Sequence, residues 1–283
     1  MTDKTSDGVG NQGLERACSV LWALRKGGVQ GLRLIDVARA TDLSKATTHR
    51  LLASLVQAGL VEQDEETASF YLGFDLYVLG SGAINRFGIA EIAHESMKRI
   101  AQQTDDSAFL TVRAGYDAVC VDRVEGGFPI KVLTLDVGDR RPLGAGANGM
   151  ALLASLPDEE TQLVVANNGE RFKNYPGLSA SRVYEEIEAT RRRGYAINNG
   201  GVIQGMSAVA VPILTMAGRP SHASIGIAAV TDRMQPERIA TIAQWLQAEA
   251  TRISERIAKM TEGMSEIATE RLIASAAGRR VTG

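Results

Sequence analysis

Residues 34–58, LIDVARATDLSKATTHRLLASLVQA, constrain the fold more than any other stretch of this 283-residue chain. They read as two helices joined by a tight turn at Thr41-Asp42-Leu43, with Ser44 placed to cap the second helix. A serine hydroxyl at that position accepts a hydrogen bond from one of the amides that the first helical turn leaves without a partner. The first helix of the pair covers about 34–40 and turns Leu34, Val37 and Ala38 inward. The second covers about 45–58, buries Leu51, Leu52, Leu55 and Val56, and stops at Gly59. An earlier helix over 14–24 is carried by Leu14, Ala17, Cys18, Leu21 and Leu24 and is ended by Gly27-Gly28. Two strand-like pieces follow, 60–63 and 69–72, around a polar tip at 64–68. Three helices and a hairpin make a winged helix-turn-helix, the arrangement that lays one helix in the DNA major groove.

The charge distribution agrees with a nucleic-acid partner, although the whole chain carries only −2. Between Arg16 and Ala58 stand seven basic residues, Arg16, Arg25, Lys26, Arg33, Arg39, Lys45 and Arg50, against Asp36 and Asp42, which leaves +5. Such a patch releases condensed counterions from phosphates. At the start of the third helix Lys45, Thr47, His49 and Arg50 point away from the apolar stripe. A Lys or Arg reads guanine O6 and N7 there, and a Thr methyl touches a thymine methyl. Arg39 and Ser44 suit phosphates, which set register rather than sequence, and Arg16 extends the basic patch. The hairpin opposes this pattern: residues 62–75 hold Glu62, Asp64, Glu65, Glu66 and Asp75 and no Lys or Arg. A wing of that charge adds little to DNA affinity.

Beyond the head, the pattern predicts a linker helix near 75–85 and a domain boundary at Gly88. It then predicts a helix at 89–104 and strands at 107–113, 118–124 and 130–135. Helices follow at 148–155, 158–166 and 180–193, strands at 195–199, 206–214 and 223–230, and a long helix at 236–259. Runs of strands among unequal helices argue α+β with a mainly antiparallel sheet. The expected layout is a flexible tail (1–11), the winged helix-turn-helix (12–74), a linker helix (75–88), a second domain (89–262) and a C-terminal tail (263–283). No run of about 18 apolar residues is present, so no membrane span is expected, and the polar N-terminus lacks the apolar core of a signal peptide. Cys18 and Cys120 lie in apolar surroundings and read as buried free thiols.

Catalytic and metal chemistry find no support. His49, His94 and His222 have no ligand spacing, so neither a metal nor a cofactor is expected. Residues Gly144 to Gly149 show G-x-G-x-x-G spacing, but a dinucleotide site also needs a βαβ unit and a later acidic residue. Pro142 would interrupt the core strand before it. Nothing identifies a base for Cys120, and Ser221 and His222, as neighbours on a strand, face opposite ways. No catalytic residue is assigned, and the chain is not expected to be an enzyme. Glu170, Arg171 and the run Arg191-Arg192-Arg193 read as surface charges, the Arg run ending a helix where cations suit the dipole.

The chain resembles the IclR-type bacterial transcription regulators. The resemblance rests on Leu14-Glu15-Arg16-Ala17, on Leu43 to Leu52, on Ala58-Gly59-Leu60-Val61 and on Tyr71-Leu72-Gly73. It continues through Val121-Asp122-Arg123-Val124, Pro142 to Ala147, Arg193-Gly194-Tyr195-Ala196 and Met206 to Pro212, covering about residues 12–260. Each motif is modest; their order and spacing together are specific. Two positions depart from the family pattern. Thr48 stands where an apolar residue is common, and Phe70 where the wing usually carries a basic one.

The resemblance implies a C-terminal effector domain with a GAF-like fold, assembly as a homodimer or homotetramer, and control by small organic or aromatic acids. It places the pocket at Ala147, Asn148, Asn198, Met206, Ala208, Gly226 and Ala228, beside the helix start at Gly144 to Gly149. Small residues there let a ligand approach backbone amides, and a helix N-terminus favours an anion. In relatives that hold very small keto acids, the position of Asn198 is often acidic, and those of Ala208, Gly226 and Ala228 can carry Cys or Ser. The smaller, less polar set here implies a larger, flatter ligand, an aromatic carboxylate. The resulting expectation is a cytoplasmic regulator that binds double-stranded operator DNA and responds to a small organic acid. The alternative is a DNA-binding head on a domain that only oligomerises and binds no ligand. A small-molecule enzyme would need turnover that survives deletion of residues 1–75.

Overall fold

The computed structural model describes residues 12–84, 88–214 and 220–260, so the expected tails, 1–11 and 263–283, lie outside the described residues. The chain divides into two compact units at residue 85. The first unit runs α1 (Gln12–Gly27), β1 (Leu32–Arg33), α2 (Leu34–Thr41), α3 (Lys45–Gln57), β2 (Val61–Gln63), β3 (Ser69–Leu72) and α4 (Phe74–Ile84). Its core gathers Val20 and Leu24 from α1, Val37 from α2, Leu52 and Leu55 from α3, and Val61 and Phe70 from the hairpin. The turn after α2 depends on Asp42, which takes a left-handed conformation (φ 53°) and donates its amide to the Ala38 carbonyl. Aspartate is one of the few residues besides glycine that visits this region readily.

The apolar stripe of α3 is rotated from the expected one. Thr48, Leu52 and Leu55 are buried, Leu51 is half-buried, and Val56 is 37% exposed. Thr48 can occupy the core because its hydroxyl donates to the Ser44 carbonyl at 3.0 Å, so no polar group is buried unmet. The hairpin also gains a third strand: β1 pairs with β3, giving the order β1-β3-β2. Two residues are too few to show a period in sequence.

The second unit runs α5 (Ile89–Thr104), β4 (Ser107–Ala114), β5 (Asp117–Val124), β6 (Arg140–Pro142), α6 (Gly146–Ala154), α7 (Asp158–Phe172), α8 (Ala180–Arg193), β7 (Ala196–Asn199), β8 (Met206–Leu214), β9 (Pro220–Val230) and α9 (Pro236–Met260). Six strands form one antiparallel sheet in the order β6-β5-β4-β9-β8-β7. Side chains alternate between its faces with a period of two. Ala108, Leu110 and Val112 of β4, Ile225 and Ile227 of β9, and Val209, Val211 and Ile213 of β8 pack with α5 and α9. The opposite face carries Ala118, Ser224, Gly226, Ala228, Ala208 and Ala210, and α6, α7 and α8 cover part of it. Branched side chains fill one side, and small ones leave room on the other.

Three readings of this unit need correction. Residues 130–135, expected as a strand, form none. Their carbonyls are taken by arginine side chains instead of a ladder: Arg141 Nη2 donates to Thr134 at 2.7 Å and Arg123 Nη1 to Leu135 at 3.1 Å. The edge of β5 is used by β6 and by Gly138 and Asp139. Pro142 does not break a core strand; it ends the short edge strand β6, where no amide is required of it. The Arg run is likewise more than a surface feature. Arg191 reaches the Ala154 and Leu156 carbonyls at 2.9 Å each and Asp158 at 2.7 Å, and so closes the end of α6. Arg193 pairs with Glu186, and Arg171 with Asp117 at 2.6 Å.

Gly226 holds the small-residue face together. A Cβ there would meet Asn148 Oδ1 at 2.5 Å, Ala210 Cβ at 2.8 Å and the Val209 carbonyl at 2.8 Å. The backbone neighbour cannot yield. Gly226→Ala is therefore expected to destabilise the second unit by about 1–3 kcal/mol, measurable by urea unfolding. Wild-type stability would show that the strands have slack at this point.

Candidate functional site

The head presents α3 with its first turn organised for contact. Ser44 caps it, its hydroxyl accepting from the Thr47 amide at 3.2 Å and lying 2.9 Å from the Thr47 hydroxyl. Thr47 is half-buried and its hydroxyl is engaged with that of Ser44. Lys45, His49 and Arg50 are exposed on the side opposite Thr48, Leu52 and Leu55. Arg16, Arg39 and Ser44 are exposed as well, and Arg39 makes an i,i+3 ion pair with Asp36 at 3.3 Å. That pair is weak in water and gives way easily to a phosphate.

The acidic hairpin has internal work for two of its carboxylates. Asp64 Oδ1 accepts from the Glu66 and Thr67 amides at 2.8 and 2.9 Å, which folds the tip, and the Thr67 amide bond holds its pKa below the ordinary value. Glu62 Oε1 accepts from the Phe74 amide at 3.0 Å, at the start of α4, where an anion suits the helix dipole.

In the second unit a cavity of about 50 Å³ lies between the small-residue face of the sheet, the start of α6 and the 132–135 segment. Six of the seven residues expected there line it: Ala147, Asn148, Asn198, Met206, Ala208 and Ala228. Gly226 does not. It lies beneath Asn148, and its lack of a side chain is what lets Asn148 seat. The Asn148 carboxamide is also less available than its position suggests. Its Nδ2 donates to the Phe109 carbonyl at 3.2 Å and the Ser224 carbonyl at 3.3 Å, while Ser224 Oγ donates back to the Asn148 carbonyl at 3.1 Å. The side chain ties α6 to β4 and β9.

The helix α6 begins at Gly146, in a left-handed conformation (φ 79°), after Ala145, and no side chain caps it. Ala145 and the first residues of the helix, Gly146 to Gly149, line the cavity. Sequence reasoning missed four polar residues of this wall, Thr111, Thr134, Arg141 and Ser207. Arg141 lines it, half-buried, and burial pulls the pKa of its guanidinium below the ordinary arginine value. Thr111 lines it too, 1% exposed, and its hydroxyl has no hydrogen-bond partner among the described residues. The alternation of β4 could have placed Thr111 on this face. Arg141 was hidden because β6 was not recognised as a strand. A wider hollow of about 370 Å³ adjoins the cavity and shares Gly146, Asn198 and Val202 with it.

The comparisons decide what this architecture is. The description "Bacterial transcriptional regulator IclR C-terminal" matches residues 81–255, and "IclR helix-turn-helix domain" matches residues 13–65. The chain belongs to the IclR family. It is a transcription regulator with a helix-turn-helix DNA-binding head and an IclR effector domain. The HTH-type transcriptional regulator BhcR of Paracoccus denitrificans is 28% identical over 237 residues, spanning 83% of this chain and 84% of its own length. An IclR transcriptional regulator from Alicyclobacillus acidocaldarius has the same fold, with a TM-score of 0.71 at 21% identity over 86% of this chain and 98% of that one. An IclR homologue from Microbacterium hydrocarbonoxydans, solved in complex with 4-hydroxybenzoate, superposes with a TM-score of 0.68 at 22% identity over 87% of this chain and 98% of that one. Among the described residues of this family member, no helix is long and apolar enough to cross a membrane.

One of the two cysteines matches expectation and the other does not. Cys120 is buried, and burial pushes its thiol up to about 12. Cys18 is exposed, not buried. Because the thiolate is the reactive form, maleimide at pH 7.5 is expected to label Cys18 in the native protein and Cys120 only in denaturant. Mass spectrometry of the labelled peptides reads this directly; native labelling of Cys120 would contradict its burial.

Proposed function

We propose that this regulator binds an operator through α3 and is controlled by a small organic acid of aromatic size, held in the cavity at the start of α6. The observation that carries the proposal is that cavity: small residues on its sheet wall, and an uncapped helix start opening into it. Orphan amides at a helix N-terminus bind anions. Ala208 and Ala228 bring no hydroxyl or thiol to compete for a short keto acid, and they leave a flat space. The 4-hydroxybenzoate complex of the Microbacterium homologue supports an acid of this size. The regulator acts as a homodimer or homotetramer in the cytoplasm, since two heads related by a two-fold axis read two half-sites. Base reading falls to Lys45, Thr47, His49 and Arg50, and Arg16, Arg39 and Ser44 serve phosphates. The acid acts by binding one arrangement of the protein more tightly than another.

Gel retardation on the regulator's own upstream region, with competitor DNA and a panel of organic acids, tests both halves. Specific retardation altered by an aromatic acid is expected. No retardation under any condition, from folded protein, would refute the operator reading. Retardation that no acid changes would favour a domain that only oligomerises. Arg50→Ala should weaken operator binding by about 1–3 kcal/mol and relax specificity at one base pair; equal loss on unrelated DNA would reduce Arg50 to a phosphate contact. Met206→Trp should abolish the acid response with DNA affinity unchanged, and a preserved response would remove Met206 from the pocket.

A further inference from the structure

Two positive features converge on one corner of the α6 cavity. The Arg141 guanidinium lies over the first residue of α6: its Nη1 is 3.7 Å from where a Cβ on Gly146 would sit. A cation beside the positive end of a helix is unfavourable unless an anion lies between them. Among the described residues, no carboxylate is seen between them. Arg141 donates to the Thr134 carbonyl at 2.7 Å, and among the described residues no carboxylate forms an ion pair with it. Tyr175, Asp139 and Cys120 act on it only through space, and burial outweighs them. The arginines of the adjoining hollow differ, since Arg182 pairs with Glu185 and Arg193 with Glu186. A half-buried cation with donors to spare and no counter-ion marks a place where a ligand completes the charge balance.

The sheet wall of the cavity carries the Thr111 hydroxyl, which has no partner among the described residues. Arg141 stands opposite Ala118, Ala118 opposite Arg113, and Thr111 lies two residues along from Arg113. With strands about 4.8 Å apart and about 3.4 Å per residue, the Cα atoms of Arg141 and Thr111 are roughly 12 Å apart. An arginine side chain and one flat ring span that distance.

Building on the acid-effector reading, we propose that Arg141 and the first amides of α6 together receive the effector's carboxylate, and that Thr111 receives a hydroxyl on the far side of its ring. The ligand class is a hydroxyaromatic monocarboxylate. Its carboxylate bridges the guanidinium and the helix start, an arrangement in which planar guanidinium geometry favours two parallel hydrogen bonds. Binding thereby joins β6, the 132–135 segment and α6 through one anion.

The test uses the full chain, with thermal melting and calorimetry against benzoate, 4-hydroxybenzoate, benzamide and pyruvate. Wild type should be stabilised by 4-hydroxybenzoate more than by benzoate, and by neither benzamide nor pyruvate. Arg141→Met should lose on the order of 10- to 100-fold in affinity for both aromatic acids, and its ligand-free form should melt higher than wild type because an uncompensated cation is gone. Arg141→Lys should recover part of the affinity. Thr111→Val should bind benzoate as wild type does and lose the preference for the hydroxylated acid. If wild type binds aromatic acids and Arg141→Met binds them equally well, or benzamide stabilises as benzoate does, the carboxylate assignment is overturned. If the acids bind but Thr111→Val keeps the preference, the orientation is overturned. If no acid binds wild type, the acid-effector reading fails, and this inference fails with it.

Discussion

The attachment of α6 to the sheet through Asn148 is the contact on which the second unit's site depends. One carboxamide donates to carbonyls on β4 and β9, and a serine hydroxyl of β9 returns a bond to the helix backbone. For Asn148 to reach them, the strand beneath must present no side chain, which is the role of Gly226. For α6 to come that close, its neighbours on the sheet must be Ala118, Ala208 and Ala210. The same small residues that admit the helix leave space at its N-terminal end. Close packing and cavity are therefore two consequences of one choice of side chains, and the helix start opens where an anion is best received.

The head divides its labour in a comparable way. The Ser44 cap and the buried Thr48, bonded back to Ser44, lock the first turn of α3 against its own core. That leaves Lys45, His49 and Arg50 on a rigid exposed face. The wing contributes architecture more than charge. Asp64 folds its tip, and Glu62 receives the first amide of α4. Asp64 and Glu62, carboxylates that would repel phosphate on a free loop, are here committed to backbone amides.

Much of this architecture was legible in the residues. The helices with a clear 3.6-residue period and an identifiable stop, α3, α8 and α9, and the alternating strands β4, β8 and β9 were placed nearly to their ends. The stripe of α3 was misjudged because Thr48 was read as polar, whereas its hydroxyl is satisfied within its own helix. The segment 130–135 looked like a strand because Ile130, Val132, Leu133 and Leu135 are apolar. Its carbonyls are instead met by Arg123 and Arg141, from positions that no local pattern predicts. The same omission hid Arg141 from the pocket: without β6 there was no way to tell which of Arg140 and Arg141 faces inward. Six of the seven residues expected at the cavity through family resemblance do line it, but resemblance could not reveal that Gly226 supports Asn148 instead of a ligand. Nor could it show that the Asn148 amide group is already engaged.

The central claim is that one acid in the second unit alters how the first unit holds DNA. Linkage supplies its most direct measurement. Operator affinity is determined by fluorescence anisotropy with and without saturating acid, and acid affinity by calorimetry with and without saturating operator. The account predicts that each ligand changes the affinity of the other by the same factor, distinct from one. Two unchanged affinities, with both ligands bound at once, would contradict it: the cavity would then be occupied without consequence for DNA.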